Sequence, residues 1–203
     1  MGKTIYTIGY AAFADIEVFL GQLKRNNINV VIDVRSVPVS SEFYMAYSKS
    51  SLEPFLKQHD IIYRNYAKEF GARQENAEYY PNGYLDFDKF IKSDDFCSGI
   101  MKVEKGITLG YKFALMCAEK DPVMCHRAIM VSQGFKNFGY KINHILYDGS
   151  FQTQEDIENR LLNLYFPERR QLGLFENKSE DEYIKEAYQK QNEKIGYKKE
   201  RAA

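Results

Sequence analysis

Tryptophan is missing from this 203-residue chain, cysteine and histidine occur three times each, and the charges cancel, with 28 Lys and Arg against 28 Asp and Glu. A zero balance argues against a protein held to nucleic acid by bulk electrostatics alone, while leaving room for a local basic face. Three cysteines, an odd number at irregular spacing, do not make a disulfide framework; they point to free thiols in a reducing cytosol. No apolar run approaches the roughly 20 residues that a membrane span needs, so no membrane partner is expected. The opening residues, MGKTIYTIGYAAF, lack the long apolar core and cleavage site of a secretory signal, which fits a cytoplasmic expectation. There is no internal repeat and no low-complexity tract. The aromatic content comes instead from 16 tyrosines and 14 phenylalanines. Packing accounts for most of them, with a wet aromatic cleft as the other use for the tyrosines.

What is there is concentrated in residues 112–139, KFALMCAEKDPVMCHRAIMVSQGFKNFG. The apolar run 113–118 reads as a buried strand. Asp121 suits an N-cap and Pro122 the first helical turn, where a missing N–H costs nothing, so a helix is expected from Pro122. Cys117 then lies at the strand end and Cys125 in the first helical turn, followed directly by His126 and Arg127. A cysteine so placed sees oriented N–H groups and the positive end of the helix dipole, which lowers a thiol pKa from about 8.5 into the range of roughly 3.5–7.5. Arg127 would strengthen that effect and His126 would carry the proton, making Cys125 a nucleophile; the plainer reading makes it a small buried hydrophobe. Cys117 reads as buried, and as a resolving partner of Cys125 if their Cα atoms come within about 7 Å. Cys117, Cys125 and His126 lack a CxxC or HxxxH spacing and a clear fourth ligand, so neither a metal nor another cofactor is expected. Anion binding asks less: the helix start, Arg127 and Arg35 would suffice. Asp33 and Glu119 would orient the arginines or act as acid and base, with ordinary ion pairing as the alternative. His144, in an apolar strand, reads as a hydrogen-bonded core histidine.

The rest of the chain alternates strand and helix. Residues 4–9 form a strand ending at Gly9, and Asp15 caps a helix with Val18, Phe19, Leu20 and Leu23 as its apolar stripe. Residues 28–34, INVVIDV, are a near-continuous apolar run, as in a parallel strand covered on both faces. A helix over 53–59, strands over 61–66 and 141–147, helical spacing over 87–91 and 96–105, and a helix over 155–164 with Ile157, Leu161, Leu162 and Leu164 apolar complete the pattern. Residues 67–88 lose all period, and loops that long are usually functional or mobile. The fold class is therefore α/β: a mainly parallel sheet of about five strands, helices on both faces, and a C-terminal helical extension. The domain is expected over 1–166, with a charged tail over 167–203. In such sheets the ligand crevice lies outside the carboxyl ends of the strands, where Gly9 with Tyr10, Asp33 with Arg35, and Cys117 with Glu119 can meet.

These residues resemble the domain-of-unknown-function 488 family. The match rests on Thr7-Ile8-Gly9-Tyr10, on Asp33-Val34-Arg35-Ser36 with Pro38, on CAEKDPxxCHR across 117–127, and on His144-Ile145 before Asp148-Gly149. The resemblance implies an α/β fold of cytosolic prokaryotic proteins and brings no settled reaction, although the two motif cysteines imply thiol chemistry. The chain departs from the family pattern at Ala11-Ala12, Val39-Ser40-Ser41 and Phe70-Gly71-Ala72. Further on, Gln171-Leu172-Gly173-Leu174-Phe175 resembles the QLxLF peptide by which bacterial replication and repair proteins dock on the DNA sliding clamp. Docking would raise the local concentration near DNA without a basic surface; the alternative is that Leu172, Leu174 and Phe175 pack back on the domain. The resulting expectation is an enzyme of DNA repair or maintenance. In it Cys117, Cys125, His126 and Glu119 are catalytic, while Arg127, Arg35, Asp33, Gly9 and Tyr10 bind an anionic nucleotide or nucleic acid. Its rivals are a non-catalytic nucleic-acid or anion-binding protein and a thiol-disulfide sensor using Cys117 and Cys125.

Overall fold

Strands that read as unbroken apolar runs have to be covered on both faces. The computed structural model, which describes residues 3–169 and 178–199, places such strands at the centre of its sheet. The strands are β1 (Thr4–Gly9), β2 (Val30–Asp33), β3 (Ile62–Asn65), β4 (Phe113–Cys117), β5 (Lys141–Ile145) and β6 (Phe151–Thr153). They form one six-stranded sheet in the order β3-β2-β4-β1-β5-β6. Every pairing is parallel except that of β5 with β6. The sheet thus has one strand more than the five expected, because β6 has only three residues and shows no periodic signal of its own.

The helices are α1 (Ile16–Arg25), α2 (Lys49–Gln58), α3 (Ala67–Phe70), α4 (Phe87–Phe90), α5 (Asp94–Thr108), α6 (Gln133–Asn137), α7 (Gln154–Tyr165) and α8 (Glu180–Ile195). On one face Phe19, Leu20 and Leu23 of α1 and Leu52 and Leu56 of α2 meet Ile8, Val31, Ala114 and Met116 of the sheet. On the other, Phe70, Phe90, Phe96, Phe135, Leu161 and Tyr188 from the later helices meet Ile5, Ile32, Leu115 and Cys117. The alternation along β4 therefore sends Met116 to one core and Cys117 to the other. The chain leaves β1 and β2 toward α1 and α2, but leaves β4 toward the opposite face. Since β1 and β4 are neighbours, with Gly9 opposite Cys117, the diverging connections open a crevice at that point.

Three local expectations need correction. Val18 is 49% exposed and Leu164 52%, so neither belongs to the buried stripe of its helix; in α1 Gln22 is buried instead. Segment 67–88 is tied down rather than irregular throughout, containing α3, a tight turn at Ala77–Tyr79 and a bridge from Tyr84 to Lys198. The charged stretch after Pro167 includes α8, started by a capping box between Ser179 and Glu182 and buried at Tyr183, Ala187, Tyr188, Gln191 and Asn192. Aromatic, small and polar residues make up that inward face, so its apolar signal is weak. The QLGLF peptide at 171–175 lies outside the described residues.

Candidate active site

The floor of the crevice begins with Cys117, the last residue of a wholly buried strand. Asp121 does act as an N-cap, accepting from Val123 N at 3.1 Å, but it starts a single 3₁₀ turn, Pro122–Met124. At Cys125 the backbone is extended, with φ −131° and ψ 135°. Its carbonyl then accepts from Ala128 N at 3.0 Å and Ile129 N at 3.1 Å. Cys125 is thus not in the first turn of a helix begun by Pro122; it immediately precedes the helical backbone that starts at His126 and continues as a π-helical stretch Arg127–Ser132 into α6. The dipole argument moves with it, since Cys125 sits at the positive end of that helix.

Four side chains converge here. The Cys125 thiol donates to Glu119 Oε2 at 2.8 Å and the Cys117 thiol to the same oxygen at 3.1 Å. His126 Nδ1 lies 3.6 Å from Cys117 Sγ, and its Nε2 donates to the Val34 carbonyl at 3.0 Å. Both sulfurs are almost fully buried. Burial pushes each thiol up, yet Cys125 ends well below a free thiol because Cys117 hydrogen-bonds to it and the Arg127 and His126 charges lie close. Cys117 goes the other way, raised by burial, by its hydrogen bond to Cys125 and by the neighbouring Cys125 and Glu119 groups. Glu119 is raised by burial and by its closeness to Cys125; although exposed as a residue at the rim, it turns one carboxylate oxygen inward. Burial works against a charged His126, but its contacts with Cys125 raise it overall. The proton-binding groups thus form one coupled unit. Glu119 also completes a set of four ligand-type atoms, all within 4.8 Å of one another, which the sequence spacing did not show.

The two arginines expected to bind an anion are occupied. Arg127 is fully buried and donates to the carbonyls of Glu119 at 2.5 Å and Lys120 at 3.3 Å, so it holds the loop and lends charge to Cys125 without facing the pocket. Gly9 is what admits that loop: a Cβ there would lie 2.0 Å from the Glu119 carbonyl oxygen and 2.9 Å from an Arg127 nitrogen. Arg35 reaches the pocket wall and stacks on Tyr10 at 4.9 Å, but its guanidinium is held by Asp33, by Ser40 Oγ at 2.9 Å and by the Tyr47 carbonyl at 2.7 Å. Asp33, fully buried, also accepts from Tyr63 at 2.6 Å. The geometry matches the ion-pairing alternative: its carboxylate is held by Arg35 and Tyr63, and Asp33 is not among the residues lining the pocket.

Above the cluster is a pocket of about 350 Å³ lined by Tyr10, Arg35, Cys117, Glu119 and His126 from the expected set. Sequence reasoning missed Ser36, Arg73, Met124, Ile195 and Tyr197, which also line it. Arg73 stacks on Tyr197 at 4.7 Å while its backbone N–H donates to Ser36 Oγ at 2.8 Å, and among the described residues its guanidinium has no carboxylate partner. The one available signal was its position in the period-free segment 67–88; Ile195 and Tyr197, at the far end of the chain, carried none.

Compared with known proteins, residues 15–133, more than half of the chain, match the model of a family described as Domain of unknown function DUF488. No curated protein and no solved structure matches.

Proposed function

Since the chain belongs to the DUF488 family, whose description carries no reaction, we propose a function from the pocket itself. It is an enzyme that binds an anionic group of a nucleotide or nucleic acid at the pocket mouth and acts on it through the cysteine cluster beneath. The observation that carries this reading is the convergence of two buried sulfurs on one carboxylate oxygen, in a pocket that an exposed arginine, Arg73, also lines. A buried set of two thiols, a carboxyl and an imidazole is expensive to keep for packing alone, and such clusters collect at reactive sites. Arg73, exposed and without a carboxylate partner among the described residues, has a guanidinium that can recognise a planar anion bidentately, and the Tyr197 ring beneath it at 4.7 Å holds it at the pocket. A local cation such as Arg73 at a pocket mouth suits a chain of zero net charge. The setting belongs to the same proposal: a bacterial cytoplasm, with DNA brought close by docking of Gln171, Leu172, Leu174 and Phe175 on the sliding clamp.

The test is turnover of nucleoside phosphates and short single-stranded DNA by the reduced full chain, followed by chromatography of products. Cys117→Ser and Cys125→Ser are each expected to lower kcat/KM by at least about 100-fold. Arg73→Ala should raise KM about 10-fold with kcat little changed, since a charged hydrogen bond contributes about 1.5–3 kcal/mol. Cys97→Ser should have no effect. Full activity in Cys125→Ser would remove the cluster from the chemistry.

A further inference from the structure

We propose that Cys117, Cys125 and His126, with Glu119 as a fourth and exchangeable ligand, form a zinc site at the floor of this pocket. The inference rests on the pocket being the reactive site and concerns what its thiols hold. The donor set is the first argument. Two sulfurs, one imidazole nitrogen and one carboxylate oxygen lie mutually within 4.8 Å. Thiolates and imidazole select zinc and its neighbours over magnesium or calcium, and zinc accepts four such ligands tetrahedrally.

Distances agree with that geometry. Bonds of about 2.3 Å to sulfur and about 2.0–2.1 Å to nitrogen set the sulfur–nitrogen edge of a tetrahedron at about 3.6 Å. Cys117 Sγ lies 3.6 Å from His126 Nδ1. The sulfur–oxygen edges would likewise be about 3.6 Å. The present 3.1 and 2.8 Å are thiol-to-carboxylate hydrogen bonds. When a metal ion replaces those protons, the carboxylate has to withdraw by less than an ångström. Glu119 sits at the exposed rim and lines the pocket, which makes it the ligand that water or substrate can displace.

The surroundings are arranged for a metal. A backbone carbonyl can only accept, so the 3.0 Å bond to Val34 fixes the His126 proton on Nε2 and turns the Nδ1 lone pair toward the sulfurs. Metal-binding histidines are commonly oriented by such a bond. Charge supplies the last argument. Arg127 is fully buried, its hydrogen-bond partners are neutral carbonyls, and it forms no ion pair among the described residues. Zn²⁺ with two thiolates and one carboxylate carries one net negative charge. Arg127 lies alongside as its counter-ion, which accounts for a buried guanidinium with no carboxylate of its own.

The experiment uses the reduced full chain, purified without a metal-binding tag. Elemental analysis should find one zinc per chain, and Co²⁺ in its place should give the sulfur-to-cobalt charge-transfer absorption of a tetrahedral thiolate site. Cys117→Ser, Cys125→Ser and His126→Gln are each expected to weaken zinc binding by at least about 100-fold, Glu119→Gln by about 10-fold, and Cys97→Ser not at all. If a ligand variant fails to fold, the wild type still decides: a chelator should lower its Tm and added zinc should restore it. Less than a tenth of an equivalent of zinc on the reduced chain, a Cys117–Cys125 disulfide in its place, or undiminished zinc in a Cys117→Ser, Cys125→Ser double variant would overturn the site. Zinc held by a chain that turns over nothing leaves the site standing and removes the enzymatic reading. Turnover by a zinc-free chain does the reverse.

Discussion

His144 sits fully buried between Thr7 Oγ1 and Gln154 Oε1, each at 2.8 Å. Burial, reinforced by the Arg127 charge, lowers its pKa to about 3. The unfolded chain protonates this residue near pH 6.5, whereas the folded chain does not until about pH 3. Between those values the unfolded state holds one more proton, so stability falls as pH falls, by up to about 1.4 kcal/mol per unit. From pH 7 to pH 5 the wild type should lose about 2 kcal/mol more than His144→Gln in urea unfolding, the other groups cancelling in the comparison. Equal losses would mean that the folded protein protonates His144 normally. Its core role was legible from its apolar flanks, as was the Cys125-His126-Arg127 cluster. The role of Arg127 was not, because a guanidinium reads the same in sequence whether it meets a ligand or a carbonyl.

Among elements, the helix after β4 shows how one residue moves a boundary. Asp121 and Pro122 carry a correct start signal, but extended Cys125 breaks the run after one turn, and a π-helical stretch follows in which Ser132 Oγ donates to the Arg127 carbonyl at 2.7 Å. Such wide turns favour functional sites, and this one begins at the cluster. Helix α8 does comparable work from the other end of the chain. Buried Asn192 accepts from Phe87 N at 2.9 Å and donates to the Leu85 carbonyl at 2.8 Å, fastening the segment before α4. Asn192→Ala leaves both backbone groups without that partner and should cost about 2–3 kcal/mol in chemical denaturation. Lys190→Ala, whose ion pair with Glu186 is solvent-exposed, should cost under about 0.5 kcal/mol. Matching effects would show that α8 does not hold that segment.

In the whole molecule, the diverging connections of β1 and β4 set the place of the pocket, and the chain returns from its far end to line it with Ile195 and Tyr197. Between α7 and α8 lies the QLGLF sequence. Under the proposed docking, purified sliding clamp should retain the wild type and lose a Leu174→Ala, Phe175→Ala double variant, with equal circular dichroism for the two chains. Equal retention of both would refute the motif assignment. The cluster variants should bind the clamp like the wild type, because the peptide lies apart from the cysteines in sequence.

By itself the sequence determined what neighbours along the chain can decide: apolar runs that must become covered strands, the Asp15 and Asp121 caps, and a thiol, an imidazole and a guanidinium in consecutive positions. It therefore carried the α/β class and the centre of the candidate site. Tertiary structure alone decided which groups face one another. Pairing β4 between β1 and β2 brought residues 9, 33 and 117 to one edge and saturated Arg35 with Asp33, while Arg73 has no carboxylate partner among the described residues. It also turned Glu119 onto both sulfurs, a contact set by how closely the 119–120 loop can approach a strand end that carries glycine at position 9. Such distances depend on strand order and close packing, which no local spacing encodes.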